Sequence, residues 1–197
     1  PVGIMAAKSA WLFGAGRVIV IDHLEYRLEF VRNYAQCEAY NFRSLEDPVL
    51  FLKKTTDWFG ADVCIDAVGC EAAGSALQTI TGRKLMLQAG SATALEWAIN
   101  SVKKGGIVSI VGVYGPTANL IPIGNVVNKG LTIRANQASV KRLLPKLIDH
   151  VMSGRVKPSE IVTHRVPLEE VSDAYHIFSA KLDNCIKPIL IPPSARA

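Results

Sequence analysis

No apolar run in this sequence approaches the roughly 20 residues that a membrane-spanning helix needs, and no basic-then-apolar leader opens it. Cysteine is sparse. Cys37, Cys64, Cys70 and Cys185 form no C-x-x-C pair, which argues against a zinc knuckle and against a disulfide framework. Cys64, in the middle of an apolar strand pattern, reads as an inert core residue. His150, His164 and His176 lack metal-ligand spacing and read as structural or surface groups. Arginine-rich tracts and aromatic-basic motifs are missing too, and aromatics make up only 7%. The net charge of +5 and a pI near 9.1 therefore describe a solvated basic surface that tolerates anionic cofactors, not a nucleic-acid interface. There is no internal repeat. The sequence begins at Pro1 without a methionine, so a piece of a longer protein is expected, and the cysteine usage points to a reducing cytoplasm. What is left after these exclusions is a globular chain. With 197 residues, 49% of them hydrophobic and 20% charged, it is long enough for one good core, or for one domain plus part of another.

The segment from Gly3 to Asp22 organises the rest. A glycine opens a small-residue helix (Ile4 to Phe13), Gly14-Ala15-Gly16 turns the chain, and the strand Arg17-Val18-Ile19-Val20-Ile21 ends on Asp22. Glycine at a helix start lets backbone amides approach a phosphate, and the helix dipole favours its charge. An acid about 20 residues later, at the tip of the next strand, is placed to accept hydrogen bonds from a ribose diol. Asp22 has a second reading as a cap for the helix that follows it. The fingerprint is cut, because its strand and first glycines would have to precede Pro1-Val2-Gly3.

Downstream, Leu24, Leu28 and Val31 predict a helix over about 24–34, and a short strand follows around Glu38 to Phe42. Asp47-Pro48 predicts an N-cap with proline at the first helical position, for a helix over Val49 to Thr56. Ala61 to Asp66 has the composition of a buried strand, closing on Ala67-Val68-Gly69. A long connection over 74–92, with a possible strand at Lys84 to Gln88, leads to a capping box at Thr93-Ala94-Leu95-Glu96. That helix turns Leu95, Ala98, Ile99 and Val102 inward and is expected to stop at Lys103-Lys104-Gly105-Gly106. Strands follow at Ile107 to Val111, closing on Gly112-Val113, and at Leu131 to Arg134. Trp11, Trp58 and Trp97 read as packing residues. Continuous apolar strands alternating with helices predict an α/β fold with a parallel sheet covered on both faces. Ligands bind such sheets beyond the carboxyl ends of the strands. Asp22, Ala67-Val68-Gly69, Gly112-Val113 and Asn136-Gln137 all belong to that edge. The pattern changes near Gln137. A helix over Ser139 to Ser153, the run Ile161 to Val166, an amphipathic helix over about 168–180 and a last strand, Cys185 to Ile191, form a tail ending in a frayed Pro192 to Ala197.

Pro1-Val2-Gly3, Val18 to Asp22, Ala61 to Gly69, Lys104 to Gly115 and Ile161 to Glu170 together resemble the zinc-dependent medium-chain alcohol dehydrogenases. The Asn184-Cys185-Ile186-Lys187 ending resembles the glutathione-independent formaldehyde dehydrogenase branch of that family. The resemblance covers essentially the whole chain. It implies a Rossmann-type doubly wound parallel sheet over 1–137, lacking its first strand, and a C-terminal segment of the catalytic domain over 138–197. It also implies an oxidoreductase that transfers hydride between an alcohol or aldehyde and NAD. Val2 and Gly3 would give amides to the pyrophosphate, Asp22 would hold the adenosine ribose, and Arg27 would lie beside the adenosine. Ala67 and Val68 would line the adenosine and ribose, with Gly69 either a turn glycine or a point of close ligand approach. Gly112 carries the same two readings; with Val111 and Val113 it would meet the nicotinamide end. Asn136 and Gln137 would lie near the nicotinamide ribose, and Lys187 would reach the pyrophosphate.

The carboxylate of Asp22 predicts NAD over NADP, although a protonated His23 beside it would tolerate a 2′-phosphate. The zinc ligands of the family lie on a domain that these residues do not include, so the fragment is expected to be catalytically inactive. The missing first strand normally separates the strands ending at Asp22 and Asp66. Its absence is expected to make the isolated polypeptide poorly soluble or prone to strand exchange. A homodimer or homotetramer through the edge strand near Leu131 to Arg134 is implied, with a small alcohol or aldehyde as partner and neither nucleic acid nor membrane. Two other uses of such a sheet remain open from the residues alone. One is a non-catalytic nucleotide-binding or regulatory module; the other is an S-adenosylmethionine-dependent methyltransferase in which Asp22 holds the ribose.

Overall fold

Small side chains make the first helix easy to bury. In the computed structural model, which describes residues 1–69, 92–114 and 121–195, it is α1 (Val2–Leu12). Ile4 and Ala7 are its buried residues. The chain then forms β1 (Ile19–Asp22), α2 (Glu25–Ala35) and β2 (Glu38–Asn41), a βαβ unit whose strands run parallel, with Asp22 opposite Asn41. Leu28, Val31 and Ala35 line the inner stripe of α2 at helical spacing. They join Ile4, Ala7, Cys37 and Ala39 in one core with Ile161 and Ile186 from the tail. Leu28 is fully buried, and burial of such a side chain stabilises by roughly 1.5–3 kcal/mol.

Two compact units emerge, residues 1–41 with 140–197, and residues 42–139. In the first, the tail contributes α6 (Val140–Met152), β6 (His164–Pro167), α7 (Val171–Ala180) and β7 (Pro188–Ile191), with β6 and β7 parallel. The amphipathic helix expected from about 168 starts as a 3-10 turn at Leu168–Glu170. A further 3-10 turn at Pro193–Ala195 stands where a frayed end was expected.

The second unit holds α3 (Pro48–Lys54), β3 (Ala61–Asp66), α4 (Thr93–Ser101), β4 (Val102–Ile110), α5 (Ile123–Asn128) and β5 (Thr132–Ala135). Its sheet has the order β3-β4-β5, all parallel, with Asp66 level with Ile110 and Ile110 level with Ala135. Asp47 caps α3 as expected, its Oδ1 accepting the amides of Val49 at 2.7 Å and Leu50 at 3.0 Å. Leu95, Ala98, Ile99 and Val102 face inward and form the core with Val108.

Several local expectations are corrected. α4 ends at Ser101, and Lys103 to Gly106 lie inside β4, because Val102 already pairs with Ala61 and Gly105 N donates to Lys129 O at 2.7 Å. Long-range pairing outweighs the local helix-stop signal. Ala92, not Thr93, is the N-cap of α4. β3 is not buried on both faces: Val63 and Ile65 are exposed, while Cys64 and Asp66 point the other way. Trp58 is 64% exposed and is not a packing residue. It sits in a turn wound by positive φ at Asp57, Trp58 and Gly60. Gly60 is required there twice over, by φ +90 and because a Cβ would stand 2.5 Å from Ser101 O. By contrast, Trp97 packs edge-on against Phe42, and Trp11 packs on the first core.

β1 pairs with β2 only and β3 with β4 only, among the described residues. The strand expected at Lys84 to Gln88 lies outside those residues. No helix among them is long and apolar enough to cross a membrane.

Candidate functional site

In the unit of residues 1–41 and 140–197, the candidate residues gather about the start of α1. That helix has Pro1 at its N-cap, no side-chain cap and no acid in its first turn. Helix geometry leaves the amides of Val2 and Gly3 without intrahelical acceptors; the first helical bond runs from Met5 N to Pro1 O at 3.0 Å. The positive end of the helix dipole is thus uncompensated by the helix itself. Arg27, Asp22 and Lys187 each lie within electrostatic range of Pro1. They therefore share the neighbourhood of this helix start.

Each of the three is held by its own element. Asp22 closes β1, and its Oδ1 accepts the amides of His23 at 2.6 Å and Leu24 at 3.1 Å. His23 Nδ1 lies 3.4 Å from the same oxygen. α2 begins after Leu24, its N-cap, without a side-chain cap. Asp22 thus ties the turn out of the strand and does not cap the helix. Among the described residues no donor is bonded to Asp22 Oδ2. Arg27 is half-buried on the first turn of α2, with Nε donating to the Tyr26 hydroxyl at 3.1 Å.

Lys187 is exposed, just before β7 and not within it. Thr163 Oγ1 accepts the amides of Ile186 at 3.0 Å and Lys187 at 3.3 Å. His164 bridges this hydroxyl (2.8 Å from Nδ1) and Asp183 (3.1 Å from Nε2). Asp183 and Asn184 both adopt positive φ. Beside them the Cys185 thiol is buried and its pKa is raised, chiefly by that burial.

In the unit of residues 42–139, parallel register brings three strand exits to one edge of the sheet. Ala67-Val68-Gly69 leave β3, Val111-Gly112-Val113 leave β4, and Asn136-Gln137 leave β5. The first two exits are tied together. Asp66 O accepts Val111 N at 2.8 Å and Gly112 N at 2.9 Å, and Val68 O accepts Val113 N at 3.3 Å. A Cβ on Gly112 would stand 2.7 Å from Val68 O and 3.0 Å from Asp66 Oδ2, so only glycine fits. Gly69 has open space around it, and nothing in the protein demands glycine there. Asn136 and Gln137 are exposed.

Sequence reasoning missed two residues here. The Asp66 carboxylate is 2% exposed; Oδ1 accepts Val68 N at 3.0 Å and Oδ2 accepts the Tyr114 hydroxyl. That bond and burial push the Tyr114 phenol well above its usual range, burial being the larger cause. An acid ending a strand is visible in the sequence, but its meeting with a tyrosine 48 residues away is not.

The donor set about α1 fits a dinucleotide: amides and two cations suit a pyrophosphate, and a carboxylate with one oxygen unbonded suits a ribose diol. The described residues offer zinc no site, because no three of their His, Cys, Asp or Glu side chains gather into a metal-binding set.

A family model for zinc-binding dehydrogenases matches residues 1–152. The zinc-type alcohol dehydrogenase-like protein AdhB of Bacillus subtilis is 40% identical over 192 residues, covering 98% of this chain and 50% of that protein. A zinc-type alcohol dehydrogenase-like protein of Schizosaccharomyces pombe is 31% identical, covering 95% of this chain and 44% of that protein. The alcohol dehydrogenase TADH from Thermus sp. ATN1 superposes with a TM-score of 0.80 at 30% identity, over 98% of this chain and 49% of that one. The chain spans about half the length of the curated relatives it matches. Parallel βαβ architecture, a matching Rossmann-like domain in solved alcohol dehydrogenases and a family match over most of the sequence lead to one conclusion: the chain belongs to the zinc-binding dehydrogenase family.

Proposed function

We propose that this chain is the cofactor-binding portion of an NAD-dependent, zinc-requiring alcohol or aldehyde dehydrogenase, of the formaldehyde dehydrogenase-like branch. The observation that carries the reading is the convergence of Asp22, Arg27 and Lys187 on the uncapped start of α1. Val2 and Gly3 give amides to the pyrophosphate, and Lys187 adds a cation. Asp22 accepts from the adenosine ribose through Oδ2, beside His23, while Arg27 flanks the adenosine. Ala67 and Val68 line the adenosine and ribose, with Gly69 beside them as a point of close approach; Val111, Gly112 and Val113 meet the nicotinamide end; Asn136 and Gln137 lie by the nicotinamide ribose. The cofactor supplies the hydride acceptor, and these residues bind and orient it. Residues 1–137 act as the cofactor domain and 138–197 as the tail of the catalytic domain. Zinc is held outside the described residues, so this chain alone transfers no hydride.

The protein works on a small alcohol or aldehyde in the cytoplasm, as a homodimer or homotetramer. β5 supports that assembly, being paired on one side only among the described residues. Competition titrations test the reading. NADH is expected to bind and to be displaced by ADP-ribose, with NADPH weaker and S-adenosylmethionine inert. Displacement by S-adenosylmethionine, or equal affinity for NADH and NADPH, refutes it.

A further inference from the structure

We infer that Asp66 and Tyr114 are positioning residues for the nicotinamide end of the cofactor, an inference that rests on the cofactor reading above. Asp66 is a hub between two strand exits. Its carbonyl oxygen accepts both Val111 N and Gly112 N, its Oδ1 accepts Val68 N, and its Oδ2 accepts the Tyr114 hydroxyl. The Tyr114 ring in turn packs on the core formed by Leu95, Ile99 and Val108. Val111 and Val113 are pinned between these anchors, one on either side of a glycine that has no room for a side chain. Both valines nevertheless remain exposed, at 47% and 44%. A tip held this firmly, presenting two apolar side chains outward, suits a flat ring laid against it.

The acid at position 66 is not explained by stability alone. A carboxylate buried this deeply carries a desolvation cost that a neutral acceptor avoids, and among the described residues no cation pairs with it. What the carboxylate adds is two acceptor oxygens at once, one for each strand exit. Oδ1 serves the β3 exit through Val68, and Oδ2 serves the β4 exit through Tyr114. Loss of the tyrosine hydroxyl therefore loosens only the Val111–Val113 tip, leaving the bond to Val68 in place.

This asymmetry sets the test. In the whole protein, Tyr114→Phe is expected to weaken NADH binding roughly tenfold, the worth of one charge-assisted hydrogen bond. ADP-ribose, which lacks the nicotinamide ring, is expected to keep its affinity within about twofold. Asp66→Asn keeps the acceptor for Val68 N and exchanges the charge-assisted bond for a neutral one from Nδ2 to the Tyr114 oxygen; it is expected to show a smaller loss of the same selectivity, and it guards against a folding failure in the first variant. Affinities are read from NADH fluorescence and from ADP-ribose competition, well below the melting temperature. Equal losses for both ligands, or unchanged NADH affinity in a variant with a lowered melting temperature, overturn the positioning role and leave the pair purely structural. If the unsubstituted protein binds neither ligand, the cofactor reading itself fails, and the inference with it.

Discussion

Asp22→Asn separates the turn that this carboxylate holds from the ribose contact proposed for it. Oδ1 already holds the turn into α2 by accepting the amides of His23 and Leu24. An asparagine oxygen accepts those same bonds, so the turn and the fold are expected to survive, with a stability change of about 0.5 kcal/mol or less. What the substitution removes is the charge and the second acceptor, Oδ2. If that oxygen grips a ribose diol, its loss costs one charge-assisted hydrogen bond, about 1.5–3 kcal/mol, which is roughly a 10- to 100-fold weaker NADH complex. The effect on NADPH has the opposite sign, because removing a negative charge relieves its repulsion of a 2′-phosphate. The NADH-to-NADPH preference is therefore expected to fall by at least the loss seen for NADH. Fluorescence titration of both reduced cofactors gives the two affinities, and a urea melt checks the fold. NADH affinity within twofold of the unsubstituted protein, with the fold intact, refutes the ribose role and leaves Asp22 as a turn residue.

Three further outcomes are expected. Gly60→Ala forces a side chain onto φ +90 and sets its Cβ 2.5 Å from Ser101 O and 2.8 Å from Lys103 N, so a urea melt is expected to show a loss of about 3 kcal/mol or more. Thr163→Val removes the acceptor for the Ile186 and Lys187 amides while keeping the shape of the side chain, at a cost of about 1–3 kcal/mol in the same assay. Glu38 is held at a pKa of about 2, against an ordinary 4.5, by the Arg17 guanidinium first and the Tyr40 hydroxyl second. A depressed carboxylate stabilises fully above its unfolded pKa and loses that contribution as pH falls from about 4.5 toward 2. Because both side chains of the pair are more than a third exposed, the contribution is about 1 kcal/mol or less. Glu38→Gln is expected to flatten the stability curve across that pH window.

What was legible in the sequence depended on how far each signal reached. Asp47-Pro48 marked a helix start correctly, because a cap and its amides lie within three residues of one another. The inward stripe of Leu95, Ala98 and Ile99 was equally legible, since spacing along one helix decides which face is buried, whereas Val102 is buried as the first residue of β4 and not on the helix. Lys103 to Gly106 carried an equally clear local signal and was misread. Its conformation is set by Ala61 and Lys129, which lie 23 or more residues from it in sequence, and pairing with them outweighs a helix-stop preference. Trp58 failed for a related reason. Size and hydrophobicity suggested packing, yet Gly60 has to approach the backbone of Ser101 to Lys103, and the turn that achieves this points the indole outward.

Two strands of this chain end on aspartate, and in sequence the two endings look alike. Asp22 is followed by His23 and Leu24 and then a helix, so only one of its oxygens is consumed by its own turn. Asp66 is followed by Ala67-Val68-Gly69 and faces Tyr114, so both of its oxygens are consumed, and almost none of the residue meets solvent. A carboxylate with an unbonded oxygen at a strand tip can still bind a diol, whereas one with both oxygens engaged and only 2% of the residue exposed is closed to a ligand by its burial. Hydrogen-bond accounting thus divides two similar sequence signals into an acid with one oxygen left unbonded and an acid engaged wholly within the protein. The division also predicts how their substitutions differ: loss of the Asp22 charge alters discrimination at the adenosine ribose, and loss of the Asp66–Tyr114 bond alters affinity for the nicotinamide alone.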